Sequence, residues 1–157
     1  MQKNLLFSII AVIIWHYISF RIVFYHDKSF FYKDDPNSNE SLFLKKEKIY
    51  EVFFKIKFWK DKIPQYVSKN GFSKNKIKSL NINYLKDFIS ETYRAEINHV
   101  LCCLAIPFLF FFNKLNAASI MSFLVALGNV PCIMIQRYNR FRIRRIILKI
   151  KKKSDDL

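Results

Sequence analysis

Glycine and proline are scarce in this 157-residue chain, at two and four positions. Turns and bulges draw on both residues, so their scarcity excludes a loop-rich β protein and points to long helices. Cysteine is scarce as well. Cys102 and Cys103 are adjacent, Cys132 stands apart, and all three lie in apolar runs, which offers neither a disulfide framework nor a zinc site. They read as small buried hydrophobes. Acidic residues number 12 against 27 Lys and Arg, a formal net charge of +15. Apolar residues are abundant: with 17 Phe and 8 Tyr in a composition 52% hydrophobic, disorder is excluded. The mean hydropathy of +0.03 averages two unlike materials, apolar runs toward both ends and a Lys-rich middle, within an expected single domain. Such a charge would ordinarily raise nucleic acid as a partner. The chain has no helix-turn-helix, RRM or zinc-finger pattern, so anionic membrane lipid or a phosphate-bearing substrate explains the charge better.

The fold class that follows is an all-α membrane protein. The run Leu5 to Phe24 is broken only by Ser8, His16, Ser19 and Arg21 and is long enough to cross a hydrocarbon core of about 30 Å. A cleaved signal peptide is the alternative; the long bulky core and the lack of a small-residue cleavage site favour an uncleaved N-terminal anchor helix. Residues 97–112 and 117–135 form two further spans. Asn113, Lys114, Leu115 and Asn116 between them are a turn's worth of chain, so the pair reads as a transmembrane hairpin. Pro107 and Pro131 should bend their helices. The segment from Tyr25 to Arg94 carries 15 Lys or Arg and the tail after Ile135 carries nine, against one in the hairpin turn. A hairpin returns the chain to its starting side, so the positive-inside rule puts both basic segments on the cytoplasmic face of the membrane.

Residues 25–96 read as a cytoplasmic helical segment, with polar loops around Pro36 and Gly71. Ile49, Val52, Phe53 and Ile56 recur at helical spacing and predict one apolar face, with Trp59 at the next turn and a stop before Pro64. Leu85, Phe88, Ile89 and Thr92 form a second stripe, and the same period brings Glu96 and His99 onto it. Beside it, Glu91 and Arg94 stand one turn apart and can pair. The tail, residues 136–157, predicts a basic amphipathic helix with Ile143, Ile146, Ile147 and Ile150 on its apolar face, lying along the anionic leaflet.

Glu96 and His99 allow three readings. Di-iron bundles use this spacing for metal ligands, but they need a second copy and two more glutamates, and one copy is present, so no metal is expected. An imidazole can instead take a hydroxyl proton while a carboxylate one turn away orients it. In the plainest reading both side chains hydrogen-bond neighbouring helices at the interface. Asn129 and Gln136, polar groups in or at the end of an apolar run, should face a bundle interior, as interhelical bonds or substrate contacts. Arg137, Arg140 and Arg142 are candidate phosphate clamps or interfacial anchors, and Arg144 and Arg145 fit the anchor role.

Two blocks, Glu91-Thr92-Tyr93-Arg94-Ala95-Glu96-Ile97-Asn98-His99 and Asn129-Val130-Pro131 followed by Gln136-Arg137-Tyr138-Asn139-Arg140-x-Arg142, resemble blocks of the glycosyl-4,4'-diaponeurosporenoate acyltransferase family. The aromatic-rich segment from Phe53 to Ile63, with Trp59 and Lys60, resembles it less tightly. The resemblance implies a small bacterial membrane enzyme of staphyloxanthin-type carotenoid synthesis. Such an enzyme esterifies a sugar hydroxyl of a glycosylated C30 carotenoid with a fatty acyl group, holds no bound cofactor, and uses acyl-CoA or an acyl-carrier-protein thioester as donor. The glycerolipid acyltransferase motif H-x4-D is missing, so no mechanism transfers from those enzymes. From chemistry, His99 is the expected general base, oriented by Glu96, with Arg94 and Glu91 holding the helix and the oxyanion. Trp59, Lys60, Asn129, Gln136, Arg137, Asn139, Arg140 and Arg142 are the expected substrate-binding residues. Association with other carotenoid enzymes fits the same setting. The rival reading is a non-catalytic membrane scaffold or anionic-lipid-binding subunit.

Overall fold

A computed structural model describes residues 2–31, 39–64 and 77–156. Of the expected polar loops, residues 34–38 and 69–76 lie outside the described residues. Every regular element among those described is helical: α1 (Gln2–Tyr25), a short 3-10 turn (Lys28–Phe31), α2 (Glu40–Val52), α3 (Ile56–Trp59), a second 3-10 turn (Lys60–Lys62), α4 (Ile82–Cys103), α5 (Ala105–Phe112) and α6 (Leu115–Asp155). Three stretches, Leu5–Tyr25, Ile82–Phe112 and Leu115–Asp155, are long and apolar enough to cross a membrane. The contacts fall into two compact units, one of residues 1–27 and 94–133, the other of residues 28–93 and 134–157.

In the first unit, α1 turns Ser8, Ser19 and Val23 inward and leaves Leu6, Phe7, Ile13 and Tyr17 at 60% exposure or more. Small side chains at the inner positions, with Cys102, Ala105, Ala118 and Ser122 also buried, let helices approach closely where lipid removes the hydrophobic drive to associate. Polar ends fix the register. The Trp15 indole N–H donates to the Leu101 carbonyl at 2.7 Å, and the Asn113 amide donates to Ser8 Oγ at 2.8 Å and to the Leu109 carbonyl at 3.0 Å. Asn113 thus closes α5 and ties the hairpin turn to α1. Pro107 acts where expected. It has no N–H for the Cys103 carbonyl and crowds it, and the helix is interrupted at Leu104, whose N–H makes a tighter bond to the Leu101 carbonyl. At Pro131 no interruption occurs, and α6 runs on through it.

Because of that continuity, the basic tail helix is an extension of the third span, 41 residues or roughly 60 Å long. Its apolar face is also covered by protein: in the second unit Ile143 and Ile147 pack on Leu85, Phe88 and Ile89 of α4. This corrects the expectation of a helix lying on the leaflet. Ile135 and Tyr138 pack on Ile56 of α3, with Tyr50, Trp59 and Ile63 around them. The expected stripe of α2 also differs. Asn39 caps the helix by accepting from the Ser41 N–H at 2.9 Å, and Phe43 and Glu47 are its buried residues. Ile49, Val52 and Phe53 are exposed, because the helix ends at Val52 and Lys55 turns the chain in the left-handed region (φ 47°) before Ile56 is buried.

The buried Glu47 carboxylate, on a residue 4% exposed, receives the Arg145 guanidinium at 2.9 Å. Burial pushes Glu47 above the usual carboxylate range. Arg145 pulls it back, the Glu51 charge raises it again, and Arg142 and Lys57 lower it, with a net rise. A carboxyl whose folded pKa lies above its unfolded one contributes stability fully below the unfolded value and loses it as pH climbs through the folded value. Arg145→Met removes the counter-ion and enlarges that rise. The substitution is expected to cost about 3–5 kcal/mol at neutral pH. Lowering the pH from about 7 to about 5 should recover part of this cost in thermal unfolding of the detergent-solubilised protein, because the protonated carboxyl needs no cation. A loss independent of pH contradicts the assignment.

Candidate active site

His99 lies on α4 at a half-buried position, and its Nδ1 is 2.9 Å from Asn129 Oδ1 on α6. Asn129 is itself buried; its Nδ2 donates to the Val125 carbonyl at 2.8 Å and faces His16 Nε2, on α1, at 3.3 Å. His16 Nδ1 in turn lies 2.8 Å from the Val12 carbonyl. Two backbone carbonyls, which accept only, set the polarity of the whole chain. Facing Val12, His16 Nδ1 carries the proton, so the neutral ring offers Nε2 as the acceptor for Asn129. Facing both the Val125 carbonyl and His16 Nε2, Asn129 presents its amide nitrogen, which leaves Oδ1 to accept from His99 Nδ1–H. A neutral His99 ring that donates from Nδ1 would carry its lone pair on Nε2.

The expected residues can be placed individually. Glu96 is buried at 8% exposure one turn before His99, whose Nδ1 bond is to Asn129. Arg94 lays its guanidinium over the Phe24 ring at 4.2 Å. Glu91 is half-buried on α4 in the second unit. Sequence reasoning passed over His16, noting it only as an interruption of the first span. The cost of an imidazole within about 20 apolar residues, applied to Asn129, was the signal that would have found it.

In the second unit the arginines of α6 divide by face. Arg140 is buried with its guanidinium 3.8 Å above the Tyr93 ring, and Arg144, one turn on, donates to Tyr93 Oη at 2.9 Å. Arg137 is exposed and Arg142 half-buried. Residues five apart on a helix project about 140° from one another, so Arg137 and Arg142 leave α6 on different sides. Arg144 and Arg145 make tertiary ties in place of the expected snorkelling. Gln136 and Asn139 are buried. Trp59 packs beside Ile56 and donates its indole N–H to the Phe54 carbonyl at 2.8 Å, while the Lys60 ammonium pairs with Asp61 at 2.6 Å. Tyr138 donates to Glu51 at 3.0 Å. Burial alone would raise the Glu51 carboxyl, but the bonds from Lys57 and Tyr138 outweigh it and hold Glu51 below the usual range. Among the described residues no three His, Cys, Asp or Glu side chains gather as a metal site.

Helices long and apolar enough to cross a membrane, joined by a hydrogen-bonded chain of a half-buried imidazole, a buried amide and a second half-buried imidazole, define a small helical membrane protein. Its family follows from comparison. The model of the glycosyl-4,4'-diaponeurosporenoate acyltransferase family matches residues 27–149, and the chain belongs to that family. Proteins of that name from Staphylococcus aureus strains MRSA252 and Newman are 30% identical over 117 residues, covering 72% of this chain and 69% of theirs. The protein of that name from strain N315 is 29% identical over the same extent. No solved structure matches. The chain is an acyltransferase of the carotenoid pathway.

The stack of Arg140 on Tyr93 has a measurable consequence. A double-mutant cycle of Arg140→Met and Tyr93→Leu, followed by thermal unfolding, should give a coupling of about 1–2 kcal/mol. Arg140→Lys should recover less than half of the loss, since an ammonium does not stack as a planar guanidinium does. Coupling near zero would mean that the contact contributes nothing.

Proposed function

We propose that the protein transfers a fatty acyl group from a thioester donor, acyl-CoA or an acyl-carrier protein, to a sugar hydroxyl of a glycosylated C30 carotenoid. The observation that carries the chemistry is the bond from His99 Nδ1–H to Asn129, which leaves Nε2 as the basic nitrogen. The names of the relatives supply the class of acceptor.

His99 Nε2 takes the hydroxyl proton as the sugar oxygen attacks the thioester carbonyl, and the carbon–oxygen bond forms. The imidazolium is stabilised by the Asn129 oxygen at Nδ1 and by the buried Glu96 carboxylate on the same helix face. Arg94, with Glu91 on the same helix, offsets charge on the tetrahedral oxyanion. As the carbon–sulfur bond breaks, Nε2 returns its proton to the departing thiolate. The products are one ester and one thiol, and the ring is neutral again. Arg137 and Arg140 hold phosphates of the donor, with Trp59, Lys60, Gln136 and Asn139 as further substrate contacts, while Arg142 belongs with the electrostatics of Glu47. The acceptor's polyene stays in the bilayer. Both basic segments face the cytoplasm, by the positive-inside rule, where thioester donors are made.

His99→Ala is expected to lower acylation by about 10²–10⁴-fold in cells that make the glycosylated carotenoid, with the protein still present in the membrane fraction. Acylated product at the wild-type level would remove His99 from the mechanism.

A further inference from the structure

The first helix reads from its sequence as an anchor, and it lies outside the residues matched by the family model. Its His16 nevertheless reaches the amide that orients His99. We infer that His16 is a positioning residue for His99, acting with the Val125 carbonyl through Asn129 to keep Nε2 the basic nitrogen. The inference rests on the reading of His99 as general base and adds a contribution of α1 to it.

Asn129 has two amide protons and two acceptors for them, the Val125 carbonyl at 2.8 Å and His16 Nε2 at 3.3 Å. The first comes from its own helix one turn earlier. The second depends on His16, whose Nε2 is the acceptor only because Nδ1–H is committed to the Val12 carbonyl. Turning the amide end for end would set Oδ1 against two acceptors at once, and acceptors repel. The turned amide would also present N–H to His99 Nδ1, forcing that nitrogen to accept and moving its proton to Nε2, which is then no base. With His16 removed, one of the two repulsions disappears and one amide proton, on a residue 6% exposed, is left facing apolar surroundings. Both changes weaken the preference for the native amide, which the Val125 carbonyl is then left to hold alone. His16 thus supports the His99 tautomer from two hydrogen bonds away, much as the orienting third member of a catalytic triad does from one.

Nitrogen-15 NMR of histidine-labelled protein in lipid nanodiscs reads the tautomer directly, and with three histidines in the chain each signal is assigned by single substitution. In the wild type both His16 and His99 should show a protonated Nδ1 and an unprotonated Nε2. In His16→Leu, an apolar change that an apolar span accommodates, the His99 signals should move toward protonated Nε2. In the same variant kcat should fall on the order of 10–100-fold with KM little changed. His16→Gln, whose Oε1 can accept from Asn129, should restore the wild-type His99 spectrum and much of kcat. Unaltered His99 nitrogen shifts in His16→Leu, or a protonated Nε2 on His99 in the wild type, overturn the positioning role. A fully active His99→Ala enzyme overturns the base assignment and with it any catalytic meaning of His16.

Discussion

Polar groups within an apolar span have no water to turn to, and this constraint organises the first unit. An imidazole on α1, an amide on α6 and an imidazole on α4 are each costly in lipid, and each is made tolerable by the next. Two main-chain carbonyls, of Val12 and Val125, anchor the ends of the chain and give it a single polarity. In the proposed chemistry the same set of bonds leaves the basic lone pair on His99 Nε2.

In the second unit buried charge works beside apolar packing. The part of α6 beyond Ile135 is surrounded by protein on several sides: Tyr138, Phe141 and Arg145 meet α2, and Arg140, Ile143, Arg144 and Ile147 meet α4. Each arginine turned inward finds a ring or a carboxylate. Arg140 and Arg144 share Tyr93, and Arg145 takes Glu47. Guanidinium is the cation suited to this, being planar, weakly hydrated and able to stack. The block Gln136 to Arg142 therefore serves the fold, and Arg137 is its exposed member.

Much of this was legible in the sequence. Apolar run lengths gave the three spans, and the four residues 113–116 gave the hairpin. The period of Leu85, Phe88, Ile89 and Thr92 brought Glu96 and His99 into view, and the two sequence blocks pointed to the family. Pairing across helices was not legible. Nothing in local periodicity links position 16 to position 129, because the link depends on which helices are neighbours. The burial pattern of α2 misled for a different reason. Binary patterning equates apolar with inside, and in this chain Glu47 is inside while Val52 and Phe53 are exposed. The tail misled because an Ile stripe flanked by Arg looks alike whether it meets lipid or another helix.

The account stands on one chain supplying both the base and the surroundings for acyl transfer. Its most direct test is reconstitution of the purified protein in lipid nanodiscs with a glycosylated C30 carotenoid and a fatty acyl thioester, read by mass spectrometry and by titration of released thiol. The expected result is a product heavier by one acyl group on the sugar, with one thiol freed per ester formed. Folded protein that yields neither ester nor thiol would contradict it.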